Sequence, residues 1–273
     1  MRNNKDNKRR LIKILAVILF ILVAGWIISW IPGTTELEIV PEGNVRCVLI
    51  TDLHSCYYGK DMKTLVKMVD KQDPDIIFLS GDIFDDKIPD DNTKDFLEQI
   101  AGKYICFYVT GNHEYWSGRV DEMCSYVDSL GITVLRGECS AIEVNGKIID
   151  VCGVDDPTYM ADAAWKSQLE VAWEGTTEEH YKILLSHRPE KVEEYEEYDF
   201  DLILTGHAHG GQIMIPFLNR GLLAPDQWLF PKYVNGIYEI SNGSQMIVSR
   251  GLARESTPLP RYFNNPEMIV FNI

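Results

Sequence analysis

The sequence predicts an α/β protein: a four-layer α/β/β/α sandwich of two mixed β-sheets flanked by helices, preceded by one N-terminal transmembrane helix. Three observations point there. From Arg46 onward, apolar strands alternate with amphipathic helices, the rhythm of βαβ units in a largely parallel sheet. After Leu135 the rhythm changes to hairpins and further apolar strands, enough for a second sheet. Ahead of both, Ile14 to Ile31 form eighteen residues without a charge.

That apolar run is long enough for a helix across a bilayer, and Trp26 and Trp30 stand where an interfacial aromatic belt is expected. A cleaved signal peptide is the rival reading, but no A-x-A-like site follows it. Residues 1–13 form a basic tail with six basic residues against Asp6. The positive-inside bias therefore expects a cytoplasmic N-terminus, a single-pass anchor over 14–31 in the cell membrane, and an extracytoplasmic body. Residues 32–44 read as a polar tether, and residues 45–273 as one catalytic domain.

Within the body, strands are expected over 46–51, 75–80, 104–110 and 133–135, with helices over 61–72, 93–101 and 120–129. Leu65, Val66, Met68 and Val69 give the first of these helices its apolar stripe. Asn145-Gly146 is a hairpin signal between strands 139–144 and 147–152. Residues 161–173 read as a helix, because Trp165, Leu169 and Trp173 recur every four residues. Strands follow over 182–186, 201–205, 212–215, 236–240, 245–249 and 268–272.

Composition excludes some functions. The net charge is −15, but the chain after residue 13 holds 20 basic and 40 acidic residues. So acidic a body offers few of the Lys and Arg contacts that bind a nucleic-acid backbone by counterion release, so no nucleic-acid partner is expected. The six cysteines show no CxxC pair or zinc-finger spacing. They read as reduced and at least partly buried thiols, with disulfides left open.

The polar residues gather at strand ends. Asp52 and His54 end VLITDLH, Asp82 ends IIFLSGD, and Asn112, His113 and Glu114 end ICFYVTGNHE. His187 ends ILLSH, and His207 and His209 lie in LILTGHAHGG. Only His180 of the six histidines falls outside these segments. Buried strands ending in Asp or His carry a large desolvation cost unless something compensates those groups. Imidazole, carboxylate and amide oxygens without thiolate suit ions such as Mn, Fe or Zn. Seven candidate ligands exceed one ion's needs, whereas two ions about 3.5–4 Å apart and sharing an Asp would use them all.

The ordered set Asp52-Leu53-His54, Gly81-Asp82, Gly111-Asn112-His113-Glu114, His187 and Gly206-His207-Ala208-His209 resembles the calcineurin-like metallophosphoesterase superfamily. Gly206 to Gln212, Leu223-Ala224-Pro225 and Phe230-Pro231-Lys232-Tyr233 further resemble its membrane-associated bacterial YkuE/YaeI-type branch. The resemblance implies that Asp52, His54 and His209 hold one divalent ion and Asn112, His187 and His207 the other, with Asp82 bridging. It makes His113 a catalytic residue beside the transferring phosphoryl group, with Glu114 orienting its imidazole. It gives Asp85 a supporting place rather than a ligand's; Asp86, Asp90 and Asp91 read as a solvated acidic loop. Manganese is the first choice of metal, with iron, zinc, magnesium or nickel as alternatives.

The implied activity is phosphoester hydrolysis by attack of a metal-bridging hydroxide on phosphorus. The anchor directs attention to a lipid-linked phosphate or pyrophosphate, as in UDP-diacylglucosamine-pyrophosphatase-like relatives, although that intermediate is cytoplasmic and this body is expected outside. The alternatives are a tethered phosphodiesterase or phosphomonoesterase for soluble substrates, and a non-catalytic metal-dependent binding protein. Pro216-Phe217-Leu218, Leu222 to Pro225 and Trp228 to Pro231 read either as loops folded onto the core or as an apolar wall for an acyl chain or membrane contact.

Overall fold

A computed structural model describes residues 2–216, 218, 220–254 and 259–273. Helix α1 (Arg2–Ile28) is followed by strands β1 (Gly33–Glu38) and β2 (Arg46–Ile50). Then come α2 (Lys63–Asp70), β3 (Ile76–Ser80), α3 (Asp91–Ile100), β4 (Ile105–Val109), α4 (Asn112–Trp116), α5 (Val120–Ser129) and β5 (Thr133–Val134). The second half holds β6 (Glu138–Val144), β7 (Lys147–Gly153), α6 (Asp162–Glu174), β8 (Tyr181–Leu185), α7 (Val192–Tyr195) and β9 (Leu202–Thr205). Short ribbon strands β10 (Met214–Ile215), β11 (Arg220–Gly221), β12 (Leu223–Ala224) and β13 (Trp228–Leu229) precede β14 (Gly236–Glu239), β15 (Gln245–Val248) and β16 (Glu267–Asn272).

Two six-stranded mixed sheets result, ordered β1-β16-β2-β3-β4-β5 and β14-β15-β9-β8-β7-β6. In the first, β2 to β5 run parallel and β16 is antiparallel to β2. In the second, β15, β9, β8 and β7 run parallel, with antiparallel β14 and β6 at the edges. Strand pleating sorts the apolar residues into layers. Along β2, Cys47 and Leu49 enter the core between the sheets, while Val48 and Ile50 pack under helices α2, α3 and α5. A third apolar cluster lies between the second sheet and α6, around Trp165 and Leu169. The four layers expected from the sequence are thus two sheets sharing one inner core, each backed by its own helices.

Four local expectations are corrected. Residues 33–38, expected in a tether, form an edge strand that pairs in parallel with β16 from Gly33↔Glu267 to Glu38↔Asn272. Their alternating half-buried and exposed pattern is that of a sheet edge, which a polar sequence satisfies as easily as a loop does. The apolar run reaches Ile31, but α1 ends at Ile28, and Trp30 and Ile31 close short turns onto Ile27 and Ile28. The expected strand 212–215 shrinks to Met214–Ile215, because Gly210, Gly211 and Gln212 all adopt positive φ and coil the chain first. Finally, Cys139 and Cys152, opposite each other on β6 and β7, are joined as a disulfide, so the reduced reading fails for that pair. Cys47, Cys106 and Cys124 are buried, and burial pushes each thiol up, Cys106 and Cys124 to about 12.

Helix α1 is long and apolar enough over Asn7–Ile28 to cross a membrane, a property shared by anchors and signal sequences. Its apolar side chains face outward, with Phe20 73% exposed.

Phe78 is fully buried in the inner core, with its ring 6.1 Å from Phe107 and 6.3 Å from Phe271. Phe78→Ala is expected to cost about 3–5 kcal/mol. A thermal melt should therefore fall by roughly 6 °C or more for a domain of this size. A melt within 2 °C of wild type would show that the sheets are not held by this core.

Candidate metal centre

Both sheets end at one place. Asp52 and His54 follow β2, Asp82 follows β3, and Asn112 opens α4 after β4. From the second sheet, His187 follows β8, and His207 and His209 follow β9. All seven residues are buried, none more than 4% exposed. Ligand atoms of Asp52, His54 and His209 lie within 4.8 Å of one another, and so do those of Asp82, His187 and His207. Asp82 stands between the two groups, with Oδ2 3.5 Å from His54 Nε2 and 3.1 Å from His187 Nε2. Asp52 Oδ1 is 3.7 Å from His209 Nε2 and 3.9 Å from His187 Nε2.

The hydrogen-bond inventory shows what these atoms face. His54 Nε2, Asp82 Oδ2, Asn112 Oδ1, His187 Nε2 and His207 Nδ1 are buried without a hydrogen-bond partner. Buried polar atoms are normally satisfied, so five orphans in one cluster of N and O donors fit cations. Burial disfavours the charged form of Asp82, yet His187, His54 and His113 hold its carboxyl well below the usual range. Two divalent-metal sites sharing this cluster make a dinuclear centre.

The supporting contacts lock the cluster. His187 Nδ1 lies 2.9 Å from the Ser80 carbonyl, and His54 Nδ1 lies 3.0 Å from Asp85 Oδ2, so each ring presents Nε2 inward. The His207 amide donates to Asp52, and the His113 amide donates to Asp82 Oδ1 at 2.8 Å. Five of the seven, namely Asp52, His54, Asp82, His207 and His209, adopt positive φ, a strained conformation for non-glycine residues that clusters at functional sites. Gly111 and Gly206 permit the closeness: an added Cβ would strike Asp82 at the first and Asp52 at the second.

Glu114 departs from its expected place. Its carboxylate accepts from the amides of Asp82, Ile83, Phe84 and Gly111 at 2.8–3.0 Å, clamping the loops after β3 and β4 together. Burial and the Asp82 charge push Glu114 up to about 7, while those backbone donors pull the other way. The carboxylates facing the His113 imidazole are instead Asp85, 3.3 Å from Nδ1, and Asp86, 2.7 Å from it. Burial opposes protonation of His113, but these two carboxylates and Asp82 raise it to about 9. Asp86 is therefore part of the site rather than a solvated loop. Asp90 leaves the acidic loop too, since Arg119 grips it through both oxygens at 2.8 and 2.9 Å.

Sequence reasoning missed Asp226 and Arg188. Asp226 Oδ2 lies 2.9 Å from His207 Nε2, and Arg188 Nη1 lies 2.9 Å from the same nitrogen. Only the carboxylate can accept the Nε2 proton, which leaves the Nδ1 lone pair for a metal. Arg188 is held by Asp156 and Asp226 and reaches Glu190 at 3.5 Å, so its guanidinium is the cation of that outer acidic cluster. Asp226 lies nineteen residues past His207 in a loop, and no spacing rule ties the two. Beside the centre opens a cleft of about 540 Å³, reached by Asp82, Asn112 and His113 and walled by Trp116, Pro225 and Trp228.

The family model described as "Calcineurin-like phosphoesterase" matches residues 45–211, more than half of the chain. The chain belongs to this family. An uncharacterized metallophosphoesterase of Helicobacter pylori is 32% identical over 224 residues, covering 80% of this chain and 57% of its own length. The uncharacterized metallophosphoesterase YkuE of Bacillus subtilis is 27% identical over 250 residues, covering 88% of this chain and 83% of its own. Among solved structures, the sulfate thiohydrolase SoxB of Thermus thermophilus superposes with a TM-score of 0.52 at 12% identity, over 80% of this chain and 54% of that one, a likeness of fold alone. The chain spans little more than half the length of the Helicobacter relative.

Chelation with dipicolinate should lower the melting temperature by roughly 5–10 °C, and excess Mn should restore it, because ions at about 100-fold their Kd contribute about 2.7 kcal/mol. An unchanged melt would mean that the orphaned atoms hold no ion. Asp226→Ala should weaken Mn binding at one of two sites by about 10–100-fold in a calorimetric titration. Two unchanged binding steps would show the Asp226–His207 contact to be idle.

Proposed function

We propose that the chain is a dinuclear-metal-dependent phosphoesterase acting at a membrane surface on a lipid-linked phosphate or pyrophosphate. One observation carries the reading: a single cleft joins Asp82 and Asn112, each with an orphaned buried oxygen, to an apolar wall of Leu223, Ala224, Pro225, Trp228 and Leu259. A phosphate at the floor and an apolar group along the wall would use both parts.

In this reading Asp52, His54 and His209 hold one ion, Asn112, His187 and His207 the other, and Asp82 both. The two clusters of mutually close ligand atoms support that division. Bound there, two divalent ions would supply Lewis acidity and an activated water for attack on phosphorus. Manganese is the proposed metal, in keeping with the nitrogen and oxygen donor set. His113 lines the cleft with its Nδ1 against Asp85 and Asp86, which orients the ring to donate a proton to the departing oxygen. Glu114 acts earlier in the chain of causes, by fixing the loops that carry Asp82 and Asn112.

Residues 14–31 are proposed as a single-pass anchor with residues 1–13 in the cytoplasm and the catalytic domain, 45–273 together with the edge strand β1, outside. The six basic residues before the apolar run support that orientation. The Cys139–Cys152 disulfide supports it as well, since such bonds persist in oxidising compartments. The motif from Gly206 to Gln212 and the likeness to YkuE favour placement in the YkuE/YaeI-type branch.

Asp82→Asn is expected to abolish turnover and lower metal content below two ions per chain, measured by elemental analysis; two retained ions with full activity would refute the bridging role. His113→Ala should keep both ions and lose about 10²–10⁴-fold in kcat. Loss of metal instead would make His113 a ligand. A panel of bis-p-nitrophenyl phosphate, p-nitrophenyl phosphate and detergent-presented lipid pyrophosphates should show the highest kcat/KM on the lipids. Preference for the soluble esters would overturn the lipid assignment.

A further inference from the structure

Helix α1 is docked at its C-terminal end without slack. Gly25 near that end is buried, as is Ser29 just past it. The Phe263 amide donates to the Gly25 carbonyl at 3.2 Å, and a Cβ at Gly25 would collide with the Phe263 ring. Only residues 29–32 separate α1 from β1, which lies in the first sheet. The body is therefore held at a set angle to the helix rather than swinging on a tether.

The segment that receives α1 also supports the site. Asn264 Nδ2 donates to the carbonyls of His209 at 2.7 Å and Gln212 at 3.1 Å. The Met214 amide donates to the Tyr262 carbonyl at 2.9 Å, so the ribbons after His209 rest on the same strip. On these ribbons and that strip stand large apolar side chains turned to solvent: Leu218, Trp228 at 78% exposure, Leu229 at 65%, Phe230 at 62%, and Leu259. Trp228 and Leu259 also line the cleft. The tip is not collapsed onto the core, and Asp226, two residues before Trp228, ties its base to His207 and Arg188.

We propose that the tip Trp228-Leu229-Phe230, together with Leu218, is a second membrane contact, seated in the interface of the phospholipid bilayer that α1 crosses. The cleft then opens along the lipid surface, and a lipid's phosphate reaches the metal centre while its chains remain in or near the bilayer. This inference rests on the anchor reading above. Charge selects the mode of contact. With 40 acidic and 20 basic residues after position 13, the body gains no electrostatic attraction to anionic headgroups, so its contact has to be apolar and aromatic. Asp226 is the sole ionised residue from Gly221 to Pro231, and its carboxylate is already engaged. Trp and Phe at such a tip match the amphipathic and apolar demands of the interface.

The test uses the full chain in phosphatidylethanolamine/phosphatidylglycerol nanodiscs, carrying a nitroxide at Val17→Cys, Leu229→Cys or Val171→Cys. The native thiols at Cys47, Cys106 and Cys124 are buried, which favours labelling of the introduced one. Oxygen should relax the labels at 17 and 229 more than a nickel chelate does, with the reverse at 171. A lipid-like label at 17 with a water-like label at 229 overturns the second contact and leaves the anchor standing. A water-like label at 17 overturns the anchor reading and this inference with it. As a second readout, Leu229→Ser/Phe230→Ser should lower kcat/KM at least tenfold on vesicle-presented lipid phosphates while leaving bis-p-nitrophenyl phosphate turnover within twofold. Equal effects on both substrates would mean that the tip serves the fold and not the membrane.

Discussion

Two aspartates, an asparagine and four histidines buried within one cluster, with five of their polar atoms unpartnered, form the constraint around which the domain is built. Removing such groups from water is expensive, and an apolar core cannot repay it. Cations repay it, and they do so only if the donors already converge. The fold achieves that convergence by ending β2, β3 and β4 of one sheet and β8 and β9 of the other at a common edge. Each sheet supplies side chains to both clusters, so neither half of the sandwich could form the centre alone.

Convergence at this density strains the backbone, and the structure opposes the strain with rigid clamps. Glu114 is the clearest of them. One carboxylate gathers four amides from two loops, so Asp82 and Asn112 are positioned by a buried group whose oxygens are already occupied with backbone donors. Glycines allow the loops to approach within contact of Asp52 and Asp82, and Asp85 turns the His54 ring while Ser80 turns that of His187. The positive φ of five of the clustered residues is tolerated because these contacts over-determine their conformation.

The same economy of motion appears at the N-terminal helix. A polar stretch that could have been a loose tether instead enters the sheet as β1, and Phe263 and Asn264 connect the helix end to the backbone of His209. The metal centre, the cleft and the apolar helix are parts of one packed body.

The order of motifs along the chain was enough to determine the layers, the hairpins and the seven clustered side chains. Strand periodicity and strand-end chemistry are local properties, and burial of charge needs compensation wherever it occurs. What the sequence could not contain was the partner of each group. Glu114 beside His113 looked like its orienting carboxylate, yet the turn of α4 sends it to the amides of the neighbouring loop and leaves His113 to Asp85 and Asp86. Asp226 met His207, and Cys139 met Cys152, only once turns and strand register were set. Residue type determines which chemistry is available, but hydrogen bonds act over about 3 Å. Only the tertiary structure decides which distant residues come that close.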